Sequence, residues 1–214
     1  MEKRAAILAA GSFPRKPYPL HLLRTAQVLV CCDGALETAL RHGLEPTLVT
    51  GDMDSLSPAL RERFRKIVVA NPEQEFNDLD KAFRLLRERY PQILEISILG
   101  ATGKAEDHTL GNLSYLMEWE RRYGLCAAGI QVQMVSDYRT ATAIGDSVSL
   151  SLGAGRRVSL FCADPTLRIH SKGLVWPTDQ VVFDNWWKAT LNRTSQDNVR
   201  LELNHPAPVL IIVD

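Results

Sequence analysis

The chain has 214 residues, 45% hydrophobic and 23% charged, which suits one large domain or two small ones with a real core. Its 25 Lys and Arg balance 25 Asp and Glu, so no net field favours nucleic acid or an anionic membrane as partner. The four cysteines, Cys31, Cys32, Cys126 and Cys162, fit neither a disulfide framework nor a zinc spacing, and are expected to be reduced, buried thiols.

Charge followed by apolar residues at the start, MEKRAAILAAGSFP, has the order of a signal peptide. The run Ala5–Ala10 is too short for one, and Gly11 and Pro14 break it. Nothing approaches the ~20 apolar residues of a membrane span. A soluble, cytoplasmic protein is expected.

Buried strands are predicted at Ala5–Ala9, Val28–Cys32, Leu48–Thr50, Ile67–Val69, Ile93–Leu99 and Val132–Val135. Between them, Ser57-Pro58 reads as an N-cap followed by proline at the first helical position. Asn77 is placed to cap a helix whose Leu79, Ala82, Phe83, Leu86 and Tyr90 share one face, ended by Pro91. A further helix starts near Asp107 or His108, turns Leu110, Leu113, Leu116 and Met117 inward, and stops at Gly124. Asp80, one residue from an inward Leu79, reads as a surface charge.

After Asp137 the texture changes to short alternating runs: Thr140–Ile144, Ser147–Leu152, Arg157–Phe161, Gly173–Trp176, Val181–Phe183, Val199–Leu203 and Val209–Val213. Trp186 and Trp187, if on a strand, point to opposite faces, one toward core and one toward an interface. The expectation is an α/β N-terminal domain over 1–137, doubly wound on a mostly parallel sheet, plus a small all-β sandwich or barrel over 138–214.

Acids fall at the carboxyl ends of the strands, where open α/β sheets bind ligands. Asp33 follows VLVCC, Asp52 and Asp54 follow TLVTG, Asp78 opens one helix and Asp107 another. Any one of them alone reads as a turn residue or an N-cap. Five at successive strand ends are harder to explain as caps. Carboxylates converging on one rim repel one another unless a cation lies between them, and hard oxygen donors of this type suit magnesium. Metal-bridged phosphates in turn suit phosphoryl or pyrophosphoryl transfer.

Several segments go further. Asp33-Gly34-Ala35-Leu36-Glu37, Gly51-Asp52-Met53-Asp54-Ser55, Pro72-Glu73-Gln74, Asn77-Asp78-Leu79-Asp80-Lys81-Ala82, and Gly100-Ala101-Thr102-Gly103 before Asp107-His108-Thr109-Leu110-Gly111-Asn112 occur in series. In order and spacing this series resembles the thiamine pyrophosphokinase family. Gly173-Leu174-Val175-Trp176, Arg193-Thr194-Ser195-Gln196 and Asn204-His205-Pro206 extend the resemblance through the C-terminal half. The family pattern differs at Leu36, Glu37, Asn77, Lys104, Ala105 and Gln196.

The resemblance implies ATP and thiamine as ligands, Mg2+ as the metal, and transfer of pyrophosphate from ATP to the thiamine hydroxyl. It implies metal ligation by Asp52, Asp54 and Asp78, with catalytic roles for these three and Asp107. Nucleotide contacts are implied at Asp33, Gly34, Gln74, Lys81 and Asn112, with Lys104 a further cation for the phosphates. Trp176 is expected to stack on thiamine, with Ser195 and Gln196 bonding its polar atoms. A homodimer with active sites shared between subunits is implied. Two other readings stay open: a related pyrophosphokinase acting on another small alcohol such as a hydroxymethylpterin, and a nucleotide- or thiamine-binding sensor without turnover.

Overall fold

The computed structural model describes residues 4–214; Met1–Lys3, where the predicted first domain begins, lie outside the described residues. The chain forms two compact units, one running up to Asn112 and including Ile130–Asp137, the other made of Leu113–Gly129 and Tyr138–Asp214.

The first unit holds strands β1 (Arg4–Leu8), β2 (Val28–Cys32), β3 (Leu48–Gly51), β4 (Val68–Ala70), β5 (Glu95–Leu99) and β6 (Gln131–Val135). They lie in the order β6-β5-β1-β2-β3-β4, and every pairing among them is parallel. Parallel strands are covered on both faces, so they read as unbroken apolar runs. The VLVCC of β2 is buried at every residue. The chain starts at the centre, winds outward through β4, then returns to the other side of β1. That reversal leaves a crevice above the carboxyl ends of β1 and β5.

Helices α1 (Pro17–Thr25), α2 (Leu36–Arg41), α3 (Pro58–Arg63), α4 (Asp78–Arg89) and α5 (Glu106–Tyr123) connect the strands. Ser57 caps α3 by accepting the Leu60 N–H, and Asn77 caps α4 by accepting the Asp80 N–H, both as the sequence predicts. In α4, Asp78 and Asp80 stand in the first turn and Arg87 and Arg89 in the last, matching the helix dipole. Leu79, Ala82, Phe83 and Leu86 are buried, as their spacing requires. α5 ends before Gly124, whose φ of +55° suits a glycine stop.

The sequence reading gave no separate signal for α1 or α2. Asp80 is a correction: it is fully buried, because Arg84 one turn later meets its carboxylate. Leu110 is a second correction, since it is exposed; the buried face of α5 begins with Asn112 and continues through Leu116, Met117 and Trp119.

The second unit is antiparallel. Its strands are β7 (Thr140–Ile144), β8 (Val148–Ser151), β9 (Arg157–Cys162), β10 (Ile169–Lys172), β11 (Asn192–Arg193), β12 (Asn198–Leu203) and β13 (Val209–Val213). One set runs β11-β9-β13-β7 and a separate sheet runs β10-β12-β8. Alternate residues, among them Val158, Leu160, Ile169, Val199, Leu201 and Ile211, meet in one core.

Gly173–Trp176 and Val181–Phe183 are not strands; within them only Leu174 pairs, in a bridge to Thr194. Trp186 and Trp187 lie on a turn rather than a strand and are both exposed, so the alternation argument does not apply to them. Cys126 is also exposed, in the loop after α5, unlike the buried Cys31, Cys32 and Cys162.

Candidate active site

The site begins where β2 and β3 end. Asp33 leaves β2 directly into one 3₁₀ turn, Asp33–Ala35, and is only 2% exposed. A buried carboxylate needs donors, and it has two: Oδ1 accepts the Gly34 N–H at 2.6 Å and Oδ2 the Met53 N–H at 2.9 Å. Gly51 closes β3 against this carboxylate; a β-carbon there would lie 2.5 Å from Asp33 Cγ. Beyond it the chain turns sharply, with Met53 buried at a φ of +70°, a conformation that surrounding contacts must enforce. One of those contacts is the Arg61 guanidinium, which donates to the Met53 carbonyl.

The turn brings Asp52 and Asp54 to Asp33, so that one oxygen from each of the three carboxylates lies within 4.8 Å of the others. Burial pushes the Asp33 carboxyl above its ordinary value against the pull of the Gly34 N–H, and the charges of Asp78 and Asp52 add to the rise. Asp52 is held below the ordinary carboxylate range, first by the Asp54 N–H and also by the Gln74 side chain and Lys81. Three oxygen donors of like charge, one of them buried, fit a hard divalent cation such as magnesium.

Asp78 opens α4 and lines the same cleft, but its carboxylate is taken up by Lys81, whose buried ammonium lies 3.0 Å from Oδ1. The carboxylates gathered into one group are therefore Asp33, Asp52 and Asp54. Asp107 stands apart from them: it is exposed, its Oδ1 accepts the next N–H, that of His108, and it does not line the cleft.

The cleft, of about 400 Å³, sits above the carboxyl ends of β1, β2 and β5, and is lined by Gly11, Asp33, Gly34, Asp78, Lys104 and His108 among others. Its far wall is made by two loops zipped together. Gly11 and Ser12 donate their N–H groups to Gly100 and Thr102 carbonyls at 2.6 and 2.8 Å, and the Ser12 hydroxyl donates to Gly103. Gly103, at φ +91°, has no room for a β-carbon, which would lie 2.7 Å from Ser12 Oγ. Lys104 crosses the wall to the Ala10 carbonyl at 2.7 Å, placing its charge in the cleft. At the back, Asn77 donates to Asn112 at 2.9 Å, and Asn112 donates to the Ala101 carbonyl at 2.8 Å. Asn112, which the resemblance assigns to the nucleotide, here braces the cleft wall together with Asn77, and Ser12 carries no sequence signal beyond its neighbouring glycine. His108, read from sequence as a helix-start residue, lines the cleft.

In the second unit, Trp176, Ser195 and Gln196 are brought together on paired segments. Val175 donates its N–H to Arg193 at 2.8 Å and Ser195 to Gly173 at 2.8 Å, while Gln196 Nε2 donates to Asn198 at 3.0 Å. Asn192 grips the Trp176 backbone through both its carbonyl and its N–H. Trp176 is 59% exposed.

A sequence profile described as thiamin pyrophosphokinase, catalytic domain, matches residues 20–126, and one described as thiamin pyrophosphokinase, substrate-binding domain, matches residues 140–209. The chain belongs to the thiamin pyrophosphokinase family.

Family relatives align over shorter stretches. Thiamine pyrophosphokinase of Bacillus subtilis (strain 168) is 35% identical over 88 residues, covering 39% of this chain and 40% of the relative. Thiamine pyrophosphokinase 1 of Oryza sativa subsp. japonica is 26% identical over 135 residues, covering 52% and 48%. The aligned parts thus span less than half of these relatives' own length. In shape, a crystal structure of thiamine pyrophosphokinase from Bacillus subtilis matches with a TM-score of 0.77 at 19% identity, covering 99% of both chains. Thiamin pyrophosphokinase from Candida albicans matches with a TM-score of 0.74 at 14% identity, over 98% of this chain and 88% of that one. At such identities the likeness establishes the fold. Among the described residues, no helix is long and apolar enough to cross a membrane.

Proposed function

We propose that this chain is a thiamine pyrophosphokinase, moving pyrophosphate from ATP to the hydroxyl of thiamine and releasing AMP. The observation that carries the reading is the gathering of Asp33, Asp52 and Asp54 beside the cleft at the strand reversal, in a chain that matches both family profiles in series. The part up to Asp137 handles ATP and metal, and the part from Tyr138 handles thiamine and pairing of two subunits into a homodimer.

Asp33, Asp52 and Asp54 would hold the magnesium ion in this reading, with Asp78 lining the same cleft and tied to Lys81. Bound there, the ion would neutralise charge on the transferred phosphates. The chain's own groups do the rest. Gly11 and Gly34 line the cleft where the phosphates would lie, and Lys104 adds positive charge. Asn112 fixes the cleft wall through Ala101, and Gln74 helps hold the Asp52 carboxyl below its ordinary value. Asp107 orders the first turn of α5, which carries His108 into the cleft. Trp176 stacks on the cationic rings of thiamine, and Ser195 and Gln196 bond its polar atoms. A cytoplasmic setting suits a chain whose four cysteines are all free.

The test is AMP formation from ATP and magnesium with thiamine or a hydroxymethylpterin as acceptor. Thiamine-dependent AMP supports the reading. AMP with the pterin alone moves the acceptor, and tight binding without AMP makes the protein a sensor.

A further inference from the structure

Behind the acidic group lies an ion-paired network that the proposed chemistry does not use directly. Asp80, in the first turn of α4, is fully buried, and Arg84 one turn later brings Nε to 2.7 Å from its Oδ2. The same guanidinium reaches out of the helix to Glu73 Oε2 at 2.7 Å, and lies 4.8 Å from the centre of the Phe76 ring. Arg84 therefore fastens the segment before α4 on both sides of Gln74.

That segment runs back to the metal loop. The Glu73 N–H donates to Asn71 Oδ1 at 3.1 Å, and the Asn71 N–H donates to the Gly51 carbonyl at 2.8 Å. Gly51 is the residue that packs on the Asp33 carboxylate. Gln74, the next residue after Glu73, donates its side-chain N–H to the Pro72 carbonyl at 3.3 Å and helps hold the Asp52 carboxyl below its ordinary value. One arginine thus stands at the root of this hydrogen-bonded link to the acidic group.

We propose that Arg84, oriented by the buried Asp80, is a positioning residue: through Glu73 it holds Asn71, and through Asn71 the Gly51 backbone, in the place that keeps Asp33 beside Asp52. The inference deepens the proposed metal site and rests on it. An arginine suits the task because a planar fork can serve two carboxylates and an aromatic face at once, which a lysine ammonium cannot. A buried aspartate makes the orientation firm, since leaving that charge without its cation is costly.

Removing Arg84 outright strands Asp80 and risks the fold, so the deciding variant is Glu73→Gln. Its site is partly exposed, and the change removes the charge while keeping the side chain's size. Mn2+ binding, followed by electron paramagnetic resonance, is measured on the full wild-type chain and on Glu73→Gln, Arg84→Lys and Asp54→Asn. Loss of a supporting contact of this type weakens metal affinity by about tenfold or more. That loss is expected in Glu73→Gln and in Arg84→Lys, with no further loss in the double variant, and with faster amide exchange over residues 71–77. Binding that depends on Asp54 but is unchanged in Glu73→Gln overturns this proposal alone. A wild-type chain that binds no Mn2+, or an Asp54→Asn chain that binds it equally well, overturns the metal reading and this proposal with it. An Arg84→Lys chain that fails to fold leaves Glu73→Gln to decide.

Discussion

Gly51 and Asp33 are fitted to each other: the glycine presents bare backbone to a buried carboxylate that a β-carbon would approach to 2.5 Å. Gly51→Ala must therefore push Asp33 out of line with Asp52 and Asp54. A misplacement of about 1 Å is enough to lower turnover roughly 100-fold. Gly43→Ala is the control, because its β-carbon meets nothing within 4 Å although φ is +69°. It should cost about 1 kcal/mol of stability, the strain of a left-handed residue, and leave the rate alone. Steady-state rates and denaturant midpoints of the two variants check both statements. Equal rates for Gly51→Ala and wild type would detach Asp33 from the site.

Proton linkage at Asp33 has a definite sign. Burial raises its folded-state value above the ordinary 3.8, so the folded chain binds this proton more tightly than the unfolded chain does. The ionised group costs stability above the raised value, and that cost is relieved as pH falls through it toward 3.8. Without metal, wild type should therefore gain on Asp33→Asn as the buffer is made mildly acidic; taking the difference removes the opposite contribution of Asp52. With magnesium the trend reverses, because protons compete with the cation for the same oxygens. Denaturant melts of both proteins, with magnesium and with a chelator, measure it. A wild-type midpoint indifferent to magnesium at neutral pH would contradict the assignment.

The parts of this site legible in the sequence are those set by short-range chemistry. Asn77 and Ser57 cap helices because their side chains reach an N–H three residues on, and Gly51-Asp52-Met53-Asp54 announces a tight turn after an apolar strand. Asp80 reads as surface because its neighbour Leu79 points inward, yet its burial is decided by Arg84 together with Glu73, outside the helix. Leu110 and the Trp186-Trp187 pair depart from their spacing for a related reason. A residue near the start of a helix or on a turn takes its exposure from what packs nearby, and periodicity does not specify that. The expected metal group is Asp52, Asp54 and Asp78, with Asp33 on the nucleotide; the geometry gathers Asp33 with Asp52 and Asp54 and pairs Asp78 with Lys81, a pairing set by i,i+3 spacing within α4.

Trp176 is held by its backbone and exposed by its side chain, so Trp176→Ala should leave the fold intact. Thiamine binding should weaken by about 1–2 kcal/mol, the scale of a cation–π contact, with ATP binding unchanged. Separate titrations of the two ligands decide it. Equal weakening of both would make Trp176 a structural residue.

The acids lie in one compact unit and Trp176, Ser195 and Gln196 in the other, which makes complementation a test of the proposed shared-site homodimer. Asp54→Asn and Trp176→Ala chains, each impaired at low thiamine, should regain activity when mixed under conditions that exchange subunits. A heterodimer then holds one site with both lesions and one with neither. Exchange demonstrated by a tag without recovered activity would place the whole site in one chain.

The most direct measurement follows the phosphorus atoms. ATP labelled at its β-phosphate is incubated with thiamine, magnesium and the protein, and the products are separated. Pyrophosphoryl transfer predicts that the β label leaves with thiamine diphosphate, that one unlabelled AMP forms for each, and that Asp54→Asn protein yields neither. Label retained in ADP beside thiamine monophosphate, or no thiamine-dependent product at all, would contradict the account.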